Sequence, residues 1–271
     1  MKDSKIEWLS RNPLQRGHTF NPWMGCVKVS PACERCYAEA MATRFWEKKH
    51  GKLWGADSTR WIKGDAVWKE PLKWDRASAS KKGRASVFCL SMGDIFEDRR
   101  DLDAPRERVW KLITETPNLD WQLLTKRPEN IGKLGLKTWP TNVWLGCTVE
   151  DQKRAEQRIP HLLKNKASVR WIICEPLLGP VDLSKWIDQL DWVLAGGESG
   201  GGSRPMQIEW ARSVRDQCIA AEVPFFFKQW GNHTPNAEGE LIRLRSPHGR
   251  FLDGQKWDQF PNINNKKESR A

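Results

Sequence analysis

Six short apolar runs, each followed by charged, hydroxyl or glycine residues, constrain the fold of this chain most strongly. They are rich in β-branched and aromatic residues, which predicts strands at 86–90, 121–124, 143–147, 169–174, 192–195 and 223–227, with a candidate for an earlier strand at 18–24. Apolar periodicity predicts helices at 106–116, 151–163 and 207–222. Because alternating strands and helices form parallel sheets, we expect an α/β fold, a partial or closed (β/α) TIM-like barrel. A doubly wound open sheet is the alternative.

The residues that directly follow these runs carry most of the candidate chemistry. In a parallel barrel the carboxyl ends of all strands meet on one face, where active sites assemble. We therefore expect one cavity to collect the charged residues found there, namely Asp94, Lys126, Arg127, Glu150, Glu175, Glu198 and Lys228. The alternative is that strand ends are polar simply because they reach solvent.

The chain has a basic segment inside its predicted barrel. We expect residues 1–231 to form the barrel and residues 232–271 to form a loop-rich extension with a frayed tail. The segment 47–86 has 11 Lys or Arg against 5 Asp or Glu, with Trp54, Trp61, Trp68 and Trp74 interleaved. Positive charge with aromatic rings is typical of a nucleic-acid groove, so we expect at least one of these rings to be exposed. Alternatively, the rings close the bottom of the barrel while the lysines stay solvated.

Composition limits the class of protein. No apolar run approaches the ~20 residues of a membrane-spanning helix. The 17 Trp and 9 Phe need a core, which argues against a disordered chain. Residues 1–10 lack the apolar segment of a secretory signal, so we expect a cytoplasmic protein with no membrane partner. The formal net charge of +11 favours an anionic partner.

Three of the seven cysteines are clustered. Cys26, Cys33 and Cys36 have the spacing C-x6-C-x2-C, which suits a metal. A structural zinc site needs a fourth protein ligand, and His18 is the only histidine close by in the sequence. An iron–sulfur cluster on three cysteines instead leaves one iron open to another ligand. The alternative is that these cysteines only pack, as we expect for Cys89, Cys147 and Cys174 in apolar runs.

The segments around these cysteines, 21–26 and 36–39, resemble a phage- and prophage-associated three-cysteine family long described as a domain of unknown function. Further similar segments are 88–96, 124–128, 145–150, 175–180, 196–200 and 227–231, so the resemblance covers residues 6–231. This family is in turn similar to radical SAM enzymes. That similarity implies a partial (β/α)6 barrel with three cysteines in the loop after the first strand. Here the first cysteine gap is six residues rather than three, and Arg35 stands where an aromatic residue is usual.

The resemblance implies roles for individual residues. Cys26, Cys33 and Cys36 would hold a [4Fe–4S] cluster, whose open iron binds the amino and carboxylate groups of S-adenosylmethionine for reductive cleavage to a 5′-deoxyadenosyl radical. Ser91, Gly93 and Asp94 would meet the amino group of S-adenosylmethionine. Thr148 and Glu150 would lie near its ribose.

The remaining strand ends suggest further roles. Lys126 and Arg127 suit a carboxylate or phosphate. Gly196 and Gly197, followed by 200–202, resemble a nest of backbone amides for an anion or cofactor. Glu175, Glu198 and Lys228 are candidates for proton transfer, with ion pairing to Lys126, Arg127 or Lys228 as the alternative for the two carboxylates.

Together these features predict a radical-SAM-type iron–sulfur enzyme. Its substrate would be nucleic acid or a nucleotide, its chemistry base modification or lesion repair, and a donor protein would supply electrons. Two alternatives stay open. One is a non-catalytic, zinc-stabilised nucleic-acid-binding protein, and the other is a radical SAM enzyme acting on a small nucleotide precursor.

Overall fold

The computed structural model describes residues 4, 6–11, 17–81, 83–236, 239–243 and 249–262. Its main sheet has seven parallel strands: β1 (His18–Phe20), β2 (Ala85–Cys89), β3 (Leu119–Thr125), β4 (Val143–Thr148), β5 (Val169–Cys174), β6 (Trp192–Gly196) and β7 (Phe225–Gln229). Each strand pairs with the next one along the chain. A doubly wound sheet would reverse its order at a switch point, so that alternative is wrong. Over the described residues β1 and β7 do not pair, and the sheet is a half-barrel rather than a closed barrel.

The helices follow the predicted alternation. They are α1 (Tyr37–Phe45), α2 (Glu47–His50), α3 (Asp65–Trp68), α4 (Glu70–Ala79), α5 (Asp103–Glu115), α6 (Ile131–Leu134), α7 (Gln152–Leu163) and α8 (Ile208–Ala220). The three predicted helices are confirmed as α5, α7 and α8. The side chain of Asp151 caps α7 by accepting a hydrogen bond from the Arg154 amide at 2.9 Å, which fixes where this helix begins.

Shorter elements surround the sheet. Two-stranded antiparallel pairs join Trp23–Met24 to Trp61–Ile62, His233–Pro235 to Leu241–Arg243, and Phe251–Leu252 to Gln255–Lys256. Turns of 3-10 helix lie at Glu7–Leu9, Pro31–Cys33, Arg100–Leu102, Pro128–Asn130 and Ile187–Gln189. No helix in the part of the chain that the structure describes combines the length and apolar character needed to cross a membrane.

Aromatic side chains fill the concave side of the sheet. They are Trp8, Phe88, Trp144, Trp171, Trp192 and Phe226, with the partly buried Phe260 against them. Gly146 on β4 makes room for this layer, since a Cβ there would lie 2.3 Å from the Trp171 ring. The helices cover the opposite face, where the larger part of the apolar core packs. The 3-10 helix Glu7–Leu9 contacts both β2 and β7, and so partly closes the open side of the half-barrel.

Contacts cross the boundary predicted at 231. Residues 257–260 run along the edge of β7, where the Phe227 amide donates to the Trp257 carbonyl at 3.0 Å and the Gln259 amide to the Phe225 carbonyl at 3.1 Å. Such cover protects an edge strand. Within the segment 47–86, helix α4 contacts β2 and β3 and so packs on the sheet. The tail predicted to fray is 262–271, and all of it after Asn262 lies outside the described residues.

Candidate metal and cofactor site

A cavity of about 150 Å³ lies at the carboxyl ends of the strands. Its walls bring together eleven of the residues singled out from the sequence: Cys26, Cys33, Cys36, Ser91, Gly93, Asp94, Lys126, Arg127, Thr148, Glu175 and Lys228. Four others do not line it: Glu150, Gly196, Gly197 and Glu198. The parallel topology therefore collects most of the candidate residues, as expected for strand ends on one face.

The three clustered cysteines lie in the loop that follows β1. Gly25 adopts a φ of +119°, and a Cβ there would lie 2.5 Å from the Leu53 carbonyl oxygen, so only glycine fits this turn. Cys33 ends a 3-10 turn that begins at Pro31, and Cys36 precedes α1. All three thiols are free and partly buried. The resemblance to radical SAM enzymes implies this position, in the loop after the first strand.

The other cysteines are packing residues, as the sequence predicts for Cys89, Cys147 and Cys174. Cys89, Cys147, Cys174 and Cys218 are free and fully buried in the core. Burial raises the pKa of the Cys147 and Cys218 thiols to about 12. None of the four lines the cavity, so its thiol chemistry belongs to the clustered three.

The clustered thiols share the cavity without converging on one point. Among the described residues, no three His, Cys, Asp or Glu side chains are grouped closely enough to hold a single metal ion. Burial raises the pKa of Cys26 to about 12, although the Arg127 guanidinium opposes this shift from 3.6 Å away. Cys26 is therefore a neutral thiol near pH 7, and a bound metal would have to displace its proton.

Arg127 positions the cysteine loop. Its Nη1 donates to Asp94 Oδ2 at 2.9 Å, and its Nη2 donates to the Val27 carbonyl at 2.7 Å. Asp94 also accepts hydrogen bonds from Thr125 Oγ1 at 2.7 Å and from the Lys126 amide at 3.1 Å. Arg127 and Asp94 are both buried and committed to each other. They connect the loop to the end of β3, and little of their hydrogen-bonding capacity remains for a ligand.

Glu150 and Glu198 hold the same loop from outside the cavity. The fully buried Glu150 pairs with Arg158 at 2.6 Å, and its other oxygen accepts from the Ala32 amide at 3.5 Å. Glu198 pairs with Arg204 at 2.6 Å. Neither carboxylate lines the cavity in which we expected both, and each is paired with an arginine instead. No spacing in the sequence marks these arginine partners.

Gly197, directly after β6, is needed for close packing of the chain. A Cβ on Gly197 would lie 2.0 Å from the Trp230 carbonyl oxygen, so this glycine lets two chain segments approach closely. Its amide already donates to the Gln229 carbonyl at 2.9 Å. An anion nest needs free amides, and the Gly197 amide is already committed to this hydrogen bond.

The remaining polar groups of the cavity are an ion pair and several donors without a partner. Lys228 Nζ lies 2.6 Å from both oxygens of Glu175, which is the ion pair foreseen as the alternative to a proton-transfer role. In contrast, the Lys126 ammonium has no acidic partner within the described ranges. Thr148 Oγ1 and Trp8 Nε1 are buried without any hydrogen-bond partner. Buried polar atoms are almost always paired, so the two unpaired donors on Thr148 and Trp8, residues that line this cavity, favour a ligand with acceptor atoms.

The basic segment lies against the cysteine loop, but its tryptophans are mostly enclosed. Trp54 lines the cavity and is buried, as is Trp68, which packs in the core. Trp74 stacks on His18 at 4.4 Å between ring centroids. Trp61 is covered by Lys63, whose Nζ lies 2.8 Å from the ring centroid, and by the His50 ring at 3.5 Å. The aromatic rings of this segment are therefore largely used for packing.

Comparison with known proteins identifies the family. The chain belongs to the family described as "Protein of unknown function (DUF5131)", whose model matches residues 3–261. The match extends past 231, in agreement with the residues around 257–260 that pack on β7. No curated protein and no solved structure matches the chain.

Proposed function

We propose that this protein is a radical-SAM-type iron–sulfur enzyme that modifies or repairs a base in nucleic acid or in a nucleotide. One observation carries the proposal. Three free thiols in the loop after β1 line a cavity at the carboxyl ends of a parallel half-barrel, together with donors that have no partner. Their position on the fold is the one that the resemblance to radical SAM enzymes implies.

The donor set fits a cluster better than a zinc ion. A structural zinc site draws four ligands around one metal, and no such group forms among the described side chains. In a cluster each cysteine binds a different iron. The cysteine ligands of a cluster therefore surround several metal atoms and need not converge on a single point. Cys26, Cys33 and Cys36 all line one cavity, as the ligands of a cluster would. When bound, a [4Fe–4S] cluster with S-adenosylmethionine supplies a radical that abstracts hydrogen from the substrate.

The residues of the cavity would bind and orient the second ligand. The Lys126 ammonium can hold a carboxylate or phosphate, and the Thr148 hydroxyl and Trp8 indole can donate to neutral acceptors. Phe88, Leu124 and Ile173 supply apolar walls. The Glu175–Lys228 pair can hold a proton at Lys228 Nζ and pass it to a substrate group.

Two features support a nucleic-acid or nucleotide substrate. The net charge of +11 attracts polyanions. The cavity combines apolar walls with a few unpaired donors, which is how enzymes recognise a base taken out of its stack. Action on a free nucleotide remains the alternative, since a cavity of this kind also holds a single nucleotide. We further propose a donor protein as the source of electrons.

Reductive cleavage of S-adenosylmethionine tests this function. The full chain, reconstituted anaerobically with iron and sulfide and reduced with dithionite, should release 5′-deoxyadenosine. Polynucleotide should stimulate this release, and stimulation by a mononucleotide alone would favour the small-precursor alternative. A protein that binds zinc without sulfide and forms no 5′-deoxyadenosine would contradict the proposal.

A further inference from the structure

Helix α1 begins at the rim of the cavity and carries a line of exposed apolar side chains. Tyr37 directly follows Cys36 and lines the cavity, and its hydroxyl donates to the Ser91 carbonyl at 2.9 Å. Tyr37, Met41 and Phe45 are 51%, 40% and 58% exposed. They recur every four residues and so follow one side of the helix. Eight helical residues span about 12 Å, which is the distance over which this line leads away from the cavity.

Exposed apolar side chains are concentrated on this part of the molecule. Of the eight large ones that are exposed in the described residues, five lie between 29 and 62: Val29, Tyr37, Met41, Phe45 and Ile62. Single exposed apolar residues are ordinary, but a group beside a cavity marks an interaction surface.

Positive charge lies beside the far end of the line. The Arg44 guanidinium is 5.1 Å from the centroid of the Phe45 ring. Lys48 and Lys49 follow on α2 and are exposed. The carboxylate of Glu47 accepts a hydrogen bond from the Leu53 amide at 3.0 Å, within its own segment. Rings that bases can stack on, next to cations that contact phosphates, are the features that bind single-stranded nucleic acid.

We infer that the α1 track, defined as Tyr37, Met41 and Phe45 with Arg44, Lys48 and Lys49, binds a single strand of nucleic acid and leads its bases to the cavity. This inference rests on the proposed function and names its substrate as a strand rather than a free nucleotide. It also assigns base stacking to side chains on α1, because the tryptophans of 47–86 are largely enclosed.

Other occupants fit the α1 track less well. A stable protein interface takes about 800 Å² and 20–30 residues on each side, whereas the track is a single file of side chains on a helix of nine residues. A paired duplex keeps its bases stacked on each other, so it cannot present them to protruding rings.

Binding of labelled oligonucleotides to the full chain, without iron or S-adenosylmethionine, tests the inference. We expect fluorescence anisotropy to show binding of oligo(dT) or oligo(U) of about 15 nucleotides at low salt. Phe45→Ala should weaken binding about tenfold without changing its salt dependence, because a stacking surface is lost. Lys48→Gln with Lys49→Gln should instead reduce the log–log salt slope by about 1.4, since each phosphate contact contributes about 0.7.

Matched controls separate the α1 track from general surface effects. Phe251→Ala removes a ring that is 59% exposed on the C-terminal hairpin, and Lys164→Gln with Lys166→Gln removes two exposed charges elsewhere. Both should bind like wild type. The inference is overturned if wild type does not bind at low salt, if Phe45→Ala binds normally, or if Phe251→Ala weakens binding equally. Because the assay needs no cluster, its failure leaves the proposed chemistry to be judged by 5′-deoxyadenosine release.

Discussion

Two buried threonine hydroxyls differ in whether they have partners. Thr116 Oγ1 donates to the Leu112 carbonyl at 2.7 Å and accepts from Trp121 Nε1 at 3.0 Å. Thr148 Oγ1 has no partner, although Thr148 is only 1% exposed. An unpaired buried hydroxyl costs stability. Its retention beside the cavity is consistent with a role in binding a ligand.

Thr148→Val should therefore separate stability from function. The substitution keeps the side-chain shape and removes the unpaired hydroxyl, so the free energy of unfolding should stay the same or rise by up to ~1 kcal/mol. Affinity for S-adenosylmethionine should fall about tenfold, the effect of one lost hydrogen bond. Thermal unfolding and equilibrium binding measure the two effects.

Thr116→Val is the matched control for that experiment. It leaves the Trp121 indole without its acceptor, so the free energy of unfolding should fall by about 1–3 kcal/mol while affinity for S-adenosylmethionine stays unchanged. Unaltered binding in Thr148→Val would show that its hydroxyl does not face the ligand.

At the scale of single elements, the cysteine loop is held mainly by contacts that are distant in sequence. Arg127 binds it at Val27, and Arg204 donates to the Pro31 carbonyl at 2.8 Å and to Glu34 at 3.1 Å. A loop fixed at several points can keep its three thiols in place before a metal arrives. Residues that orient metal ligands in this way commonly change metal affinity when they are mutated.

Arg204→Gln should therefore weaken retention of the metal while the fold survives. We expect affinity for the cluster to fall about 10- to 100-fold, measured as the iron that remains after reconstitution and challenge with a chelator. Arg212→Gln is the control, because it breaks an ion pair with Asp253 at 2.6 Å that does not touch the loop. Equal iron retention in both variants would show that Arg204 does not support the site.

At the scale of the whole molecule, aromatic residues that precede β1 and follow β7 complete the core of the half-barrel. Trp8 packs against Phe88 at 4.9 Å and Trp171 at 5.7 Å between ring centroids. From the other end, Phe260 packs against Trp192 at 5.5 Å. The residues around 257–260 also cover the edge of β7. The barrel therefore needs the chain well beyond 231.

Truncation tests this dependence. A chain ending at 231 loses Trp257, Phe260 and the cover of β7, so it should unfold at a clearly lower temperature or aggregate through the uncovered edge. A chain ending at 262 keeps these contacts and should unfold like the full chain. Equal thermal unfolding of the two would show that the C-terminal segment is not part of the barrel.

Much of this architecture could be predicted from the sequence, and the reasons for the failures are physical. Strands such as Trp192–Gly196 are evident because burial on both faces demands a continuous apolar run. The shared cavity follows from parallel topology. Glu150 and Glu198 were misplaced because their arginine partners come from α7 and from the chain after β6, and no local pattern records such pairs. The role of Gly197 was missed because it depends on a carbonyl 33 residues away, at Trp230.

The count of iron and acid-labile sulfide after anaerobic reconstitution tests the central claim most directly. Wild type should hold about four of each per chain. Most of the iron and sulfide should be lost in each of Cys26→Ala, Cys33→Ala and Cys36→Ala. The control Cys218→Ala, at a buried position on α8, should keep the iron and sulfide. Zinc without sulfide in wild type, or full iron and sulfide in the three cavity variants, would contradict the assignment of these cysteines to an iron–sulfur cluster.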